Sequence, residues 1–103
     1  MGDTNSYASG NWLVKEGNEE EFVARWNEFL EWTRDNAQGF GGANLIRDMS
    51  NPRHFLSFAE WADTESQQAW RSLDEFRQKL GACRELCEDF EGGAFTRATS
   101  VNA

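Results

Sequence analysis

Hydrophobic positions along this chain recur first with period two and then with period 3.6, and the switches between the two lay out the elements. Residues 7–16 (YASGNWLVKE) alternate, with Tyr7, Asn11 and Leu13 on one side and Trp12 and Val14 on the other, which predicts a strand. Gly17-Asn18 supplies a turn. Glu19, Glu20 and Glu21 then crowd the start of a helix, where the macrodipole favours negative charge. That helix, 19–36, gathers Phe22, Val23, Trp26, Phe29, Leu30 and Thr33 into one arc, with Trp32 beyond its edge. The run Gly39-Phe40-Gly41-Gly42 ends it and leads into a second strand over 43–48. A turn at 49–53 accommodates Pro52, which has no N–H to give a ladder, and a third strand follows at 54–62. Asp63-Thr64 opens a short helix through Trp70. Residues 74–89 predict a longer helix with Phe76, Leu80, Cys83 and Cys87 on one face. Gly92-Gly93 breaks that helix, and 94–101 alternates as a last strand.

The order β-α-β-β-α-β predicts an α+β, ferredoxin-like fold: a four-stranded antiparallel sheet with its helices on one face. One domain spans 7–103, behind a disordered polar leader at 1–6. The third strand is apolar on both sides, Phe55 and Trp61 against Leu56 and Phe58. The first strand sets Leu13 against Trp12 and Val14, and the second, more weakly, sets Leu45 against Ile46. A sheet with one solvated face would alternate apolar and polar cleanly. The uncovered face therefore calls for a second copy of the chain, and we expect a homodimer packed sheet to sheet.

Charge narrows the partners. With 10 Lys+Arg against 18 Asp+Glu the net charge is −8, which repels phosphate backbones and anionic lipid, so no nucleic acid and no membrane surface is expected. A cytoplasmic protein is the plain reading. Cys83 and Cys87, four apart on one helix face, predict two reduced thiols rather than a disulfide. His54 is the only histidine, too few ligands for a metal, and we expect no metal and no other cofactor. Five Trp and eight Phe supply aromatic bulk for a core or a pocket.

Few residues point at chemistry. Asn11 lies inside a strand, where Asn is disfavoured; an exposed position, a bulge or a buried amide facing a ligand all fit. Arg47 and Arg97 fall within strands and either pair with acidic side chains or face a ligand oxygen. His54, with an ordinary pKa near neutrality, is the default general base if one is needed. Trp61 and Trp70 serve as core residues or as walls of a pocket.

Gly39-Phe40, the turn Asn51-Pro52, Phe55, the run Ser57-Phe58-Ala59-Glu60-Trp61, and Trp70 together resemble the antibiotic biosynthesis monooxygenase family. The resemblance covers about residues 7–100. It implies a dimeric α+β barrel with a pocket between sheet and helices for a flat aromatic molecule. Relatives oxidise polycyclic phenols with O2 and no cofactor, or bind and degrade heme. In the former a Trp ending the third strand is implicated, matched by Trp61; the Asn expected four residues earlier is Ser57 here. In the latter a short-helix Trp matches Trp70, and Asn11 lies near a first-strand Asn. Their heme-ligating His corresponds to Leu80, which cannot hold iron. The resemblance thus implies a cofactor-free monooxygenase with Trp61, Asn11 and His54 as catalytic candidates and Trp70, Arg47, Ser57 and Arg97 as substrate-binding ones. The alternative is a non-catalytic dimeric module that binds a small hydrophobic compound or heme.

Overall fold

The computed structural model describes residues 6–103. Four strands and three helices follow in the order β1 (Ser6–Val14), α1 (Glu19–Asn36), β2 (Phe40–Asp48), β3 (Asn51–Trp61), α2 (Thr64–Arg71), α3 (Asp74–Arg84) and β4 (Cys87–Thr96). The strands form one antiparallel sheet in the spatial order β2-β3-β1-β4. This is the ferredoxin-like arrangement expected from the sequence, with the second helical segment in two pieces. The leader expected at 1–6 ends differently. Ser6 is buried and already pairs with Trp61, while residues 1–5 lie outside the described residues.

The helices form where the pattern put them. α1 opens with three glutamates at its positive end and buries Phe22, Trp26, Phe29, Leu30 and Thr33. Val23, expected in the same arc, is exposed. Gly39, at φ 83°, carries the chain from α1 into β2 through a backbone conformation that L side chains rarely adopt. Asp63 caps α2 by accepting the backbone N–H of Ser66 at 2.7 Å.

Several boundaries differ from the reading: β2 opens at Phe40 rather than 43, and the last strand runs Cys87–Thr96 rather than 94–101. Pro52 lies within β3 rather than in a turn, at a point where neither neighbouring strand pairs with it. The missing N–H therefore costs no ladder bond. The third helix ends at Arg84, not 89, and Gly92-Gly93 sit inside β4 rather than breaking a helix. Residues 83–87 satisfy a helical period locally. The ladder with β1 overrides it: the Lys15 N–H donates to Leu86 O at 2.8 Å, and pairing runs from Val14↔Cys87 to Ser6↔Thr96.

All three helices cover the face built by Ser6, Gly10, Trp12 and Val14 of β1 and Phe55, Ser57, Ala59 and Trp61 of β3, and these eight are buried. The opposite face carries Tyr7, Leu13 and Leu56, partly covered, with Ile46, Phe58 and Phe95 exposed. Apolar side chains lie on that face in all four strands, interleaved with polar ones such as Asn11, Asn44 and Glu60.

Candidate functional site

The register places side chains of similar size in rows across the helix-covered face. One row reads Ala43–Ala59–Ala8–Ala94 from β2 to β4, and the next reads Leu45–Ser57–Gly10–Gly92. Both are made almost wholly of small residues. Bulkier rows flank them: Arg47–Phe55–Trp12–Phe90 on one side, and Phe40–Trp61–Ser6–Thr96 on the other. The helices cannot sink onto the small rows because the bulky rows hold them off. The result is a cavity of about 280 Å³ whose floor includes Gly10, Ser57 and Ala59. Trp26, Phe29 and Leu30 of α1 contribute to its roof, with Trp70 of α2 and Phe76 and Leu80 of α3.

Aromatic packing fixes the two ends. At one, Trp12 contacts Phe22 and Phe90 at ring-centroid distances of 5.1 and 4.2 Å, and Phe22 meets Phe55 at 5.1 Å. At the other, Trp70 stacks beside Phe29 at 5.8 Å and meets Phe76 at 4.6 Å and Trp61 at 4.7 Å. Polar ties lock the indoles. Trp70 Nε1 donates to Thr33 Oγ1 at 3.0 Å, and that hydroxyl donates to Phe29 O at 2.9 Å. Trp12 Nε1 donates to Ser57 Oγ at 3.0 Å. Ser57 thereby accepts from the core and keeps its own O–H to donate into the cavity.

The residues singled out from the sequence divide into two groups. Trp70 and Ser57 line the cavity. Trp61 is fully buried one ring behind it, between Trp70 and Phe40, with its indole N–H lacking an acceptor among the described residues. Asn11, His54, Arg47 and Arg97 are not brought to the cavity. Odd positions of β1 and even positions of β3 point to the open face, so Asn11 and His54 meet there instead. His54 Nε2 lies 2.8 Å from Asn11 Oδ1, and His54 Nδ1 lies 2.8 Å from Asp48 Oδ2. The His54 hydrogen bond, and next the Ser50 backbone N–H, hold the Asp48 carboxyl below the usual carboxylate range. Arg47 lays its guanidinium over the Phe55 ring at 4.7 Å, on the rim of the sheet. Arg97 falls just past β4, where it donates to the Tyr7 hydroxyl at 2.6 Å and pairs with Glu60 at 3.8 Å.

Sequence reasoning missed the floor itself and Arg71, which lines the cavity at the end of α2. The signal for the floor is present in three strand segments that place small residues at alternate positions beside an aromatic: Ala8, Gly10, Trp12; Ser57, Ala59, Trp61; Phe90, Gly92, Ala94. Among the described residues no cluster of three or more His, Cys, Asp and Glu side chains converges as a metal site, and no helix is long and apolar enough to cross a membrane.

With this geometry in place, comparison with known proteins is informative. The family model for antibiotic biosynthesis monooxygenase matches residues 7–79, and the chain belongs to that family. Its fold is similar to that of SnoaB, a cofactor-independent oxygenase from Streptomyces nogalater, in a single-substitution variant. That likeness has a TM-score of 0.87 at 19% identity, covering 96% of this chain and 98% of that one. A Shewanella oneidensis protein superposes with a TM-score of 0.79 at 18% identity, covering 93% of each chain. A conserved protein from Methanosarcina mazei gives 0.79 at 18% identity, covering 89% of this chain and 91% of that one. At these identities the likeness concerns the fold. No curated protein matches the chain significantly.

Proposed function

We propose that this protein is a cofactor-independent monooxygenase that acts on a flat aromatic, polyketide-type small molecule, working as a sheet-to-sheet homodimer in the cytoplasm. The observation that carries this reading is the cavity of about 280 Å³, floored by small residues and walled by aromatic rings. Its size is near the lower end of the roughly 300–1,000 Å³ common for ligand pockets, which favours a compact fused-ring ligand. Membership of the family supports the reaction class.

The chemistry asks little of the protein. An electron-rich phenolate or enolate gives one electron to O2, and the resulting superoxide and carbon radical combine into a peroxide. Breaking the O–O bond, with loss of water, leaves a carbonyl where the substrate had two C–H bonds. One oxygen atom of O2 enters the product and the other leaves in water. The binding site must hold the ring, exclude water and steady the oxygen that carries charge. In this reading Trp70 stacks on the substrate, Trp61 backs Trp70, and the Ser57 O–H donates to a substrate oxygen. The open face, with Ile46, Phe58 and Phe95, packs against a second copy.

Oxygen uptake with an anthrone-type phenol tests this. We expect consumption above the uncatalysed rate without added flavin, and insensitivity to chelators; no uptake beyond background rejects it. A second reading, a binding module without turnover, is favoured by one observation. Among the described residues no carboxylate or imidazole lines the cavity to serve as a base. In that case the same phenol quenches Trp fluorescence and oxygen is not consumed.

A further inference from the structure

Among the described residues one ionisable side chain, Arg71, lines the cavity. It closes α2 at the point where the cavity meets a wider polar groove, which Arg71 also lines together with Gln67, Gln68, Arg77 and Thr96. Among the described residues no carboxylate stands within ion-pair distance of Arg71, although acidic residues outnumber basic ones 18 to 10. Arg25, Arg34, Arg53, Arg77 and Arg97 each have such a partner, whereas Arg47 and Arg84 lie over the Phe55 and Phe90 rings, away from the cavity mouth. Arg71 instead donates to the side-chain oxygen of Gln67, one turn earlier, at 3.4 Å.

Gln67 is 2% exposed and donates its amide N–H to the Ser6 hydroxyl, which fixes the amide with its oxygen toward Arg71. A neutral acceptor of this kind orients a guanidinium without cancelling its charge. Next to an apolar hollow, that charge is matched best by an oxyanion, which the planar fork binds through paired, charge-assisted hydrogen bonds. We infer that Arg71 recognises an anionic oxygen on the ligand, so that the pocket selects flat aromatics bearing a carboxylate or an ionised acidic hydroxyl. The rings lie over the Gly10–Ala59 floor and the oxyanion sits at the mouth. This rests on the aromatic-ligand reading above. Where the anion is the ionised hydroxyl that gives the electron, the ligand arrives deprotonated and needs no base; a carboxylate serves recognition alone.

Anthracene-2-carboxylate and anthracene-2-carboxamide share one ring system and differ in charge. Titrated against Trp fluorescence, the native protein is expected to bind the carboxylate about tenfold tighter, as a charge-assisted contact allows, with the margin shrinking as salt is added. Arg71→Gln should erase the preference while leaving carboxamide affinity unchanged. Arg71→Lys should give an intermediate preference, because it keeps the charge and loses the fork. Arg77→Gln should leave the preference intact. Equal binding of both probes by the native protein overturns the inference while sparing the aromatic pocket; so does a preference that survives Arg71→Gln or disappears with Arg77→Gln. Failure of both probes to bind overturns the aromatic-ligand reading and this inference with it.

Discussion

Gly10 stands opposite Ser57 across β1 and β3, and its missing side chain gives the Trp12 indole room to reach the Ser57 hydroxyl. A Cβ at position 10 would lie 2.5 Å from Trp12 Nε1 and 2.8 Å from Ser57 Oγ. Trp12 is 2% exposed and packed against Phe22 and Phe90, so it has nowhere to retreat. Gly10→Ala should therefore break the hydrogen bond and lower stability by about 1–3 kcal/mol, the usual range for overpacking. Urea denaturation followed by Trp fluorescence measures it, and an unmoved midpoint would contradict the steric argument.

Ala59 occupies the floor between two further small residues, Ala43 and Ala8. Ala59→Leu fills space that the native protein leaves open. Ligand affinity should fall at least tenfold, whereas stability should hold or rise by about 0.5–2 kcal/mol, as cavity-filling changes commonly do. Paired binding and thermal-melt measurements separate this from a misfolded variant, which would lose both.

Ile46 is 49% exposed on the face that the helices leave bare. If a second copy covers that face, light scattering should return twice the 11.8 kDa chain mass, and Ile46→Asp should return the mass of one chain. A charge placed in an apolar interface loses its hydration without gaining a partner. A native protein that runs as a single chain at micromolar concentration refutes the dimer.

Burial pushes the Cys83 thiol up to about 12 and the Cys87 thiol up to about 11, from an ordinary value of 9.0. The folded chain thus retains protons that the unfolded chain releases above pH 9.0. The stabilisation is whole below that pH and is lost as pH rises toward about 12, because over that window the unfolded state binds fewer protons. Urea midpoints should fall on going from about pH 8 to 10, and a Cys83→Ala, Cys87→Ala double variant should show a smaller fall. At about pH 8 a thiol-specific disulfide reagent should label neither cysteine until denaturant is added. Prompt labelling of Cys83 in the folded protein would speak against its burial.

Much of the fold is legible along the chain because its signals are local. The glutamates at 19–21, the Asp63 cap and the two-sided apolar pattern of β3 each act within a few residues of where they are read. Residues 85–90 are not legible in this way. Cys83 and Cys87 fit a helical spacing, yet Cys87 belongs to β4 because β1 offers it a ladder, and β1 lies more than seventy residues earlier in the sequence. Likewise Asn11 and His54 attract notice as chemical groups, but the parity of their strand positions sends both to the face opposite the cavity.

The order of elements, the aromatic load, the acidic balance and the greasy second face of the sheet are determined by the sequence alone. Each depends on residue type and near-neighbour spacing, which are visible in one dimension. The location of the hollow was decided only in three dimensions. Ala59 and Gly10 become a floor when register aligns small residues across four strands, and Arg71 becomes the charge at its mouth when α2 docks over them. Strand register and helix docking are set by contacts between residues distant along the chain, and no local pattern encodes them.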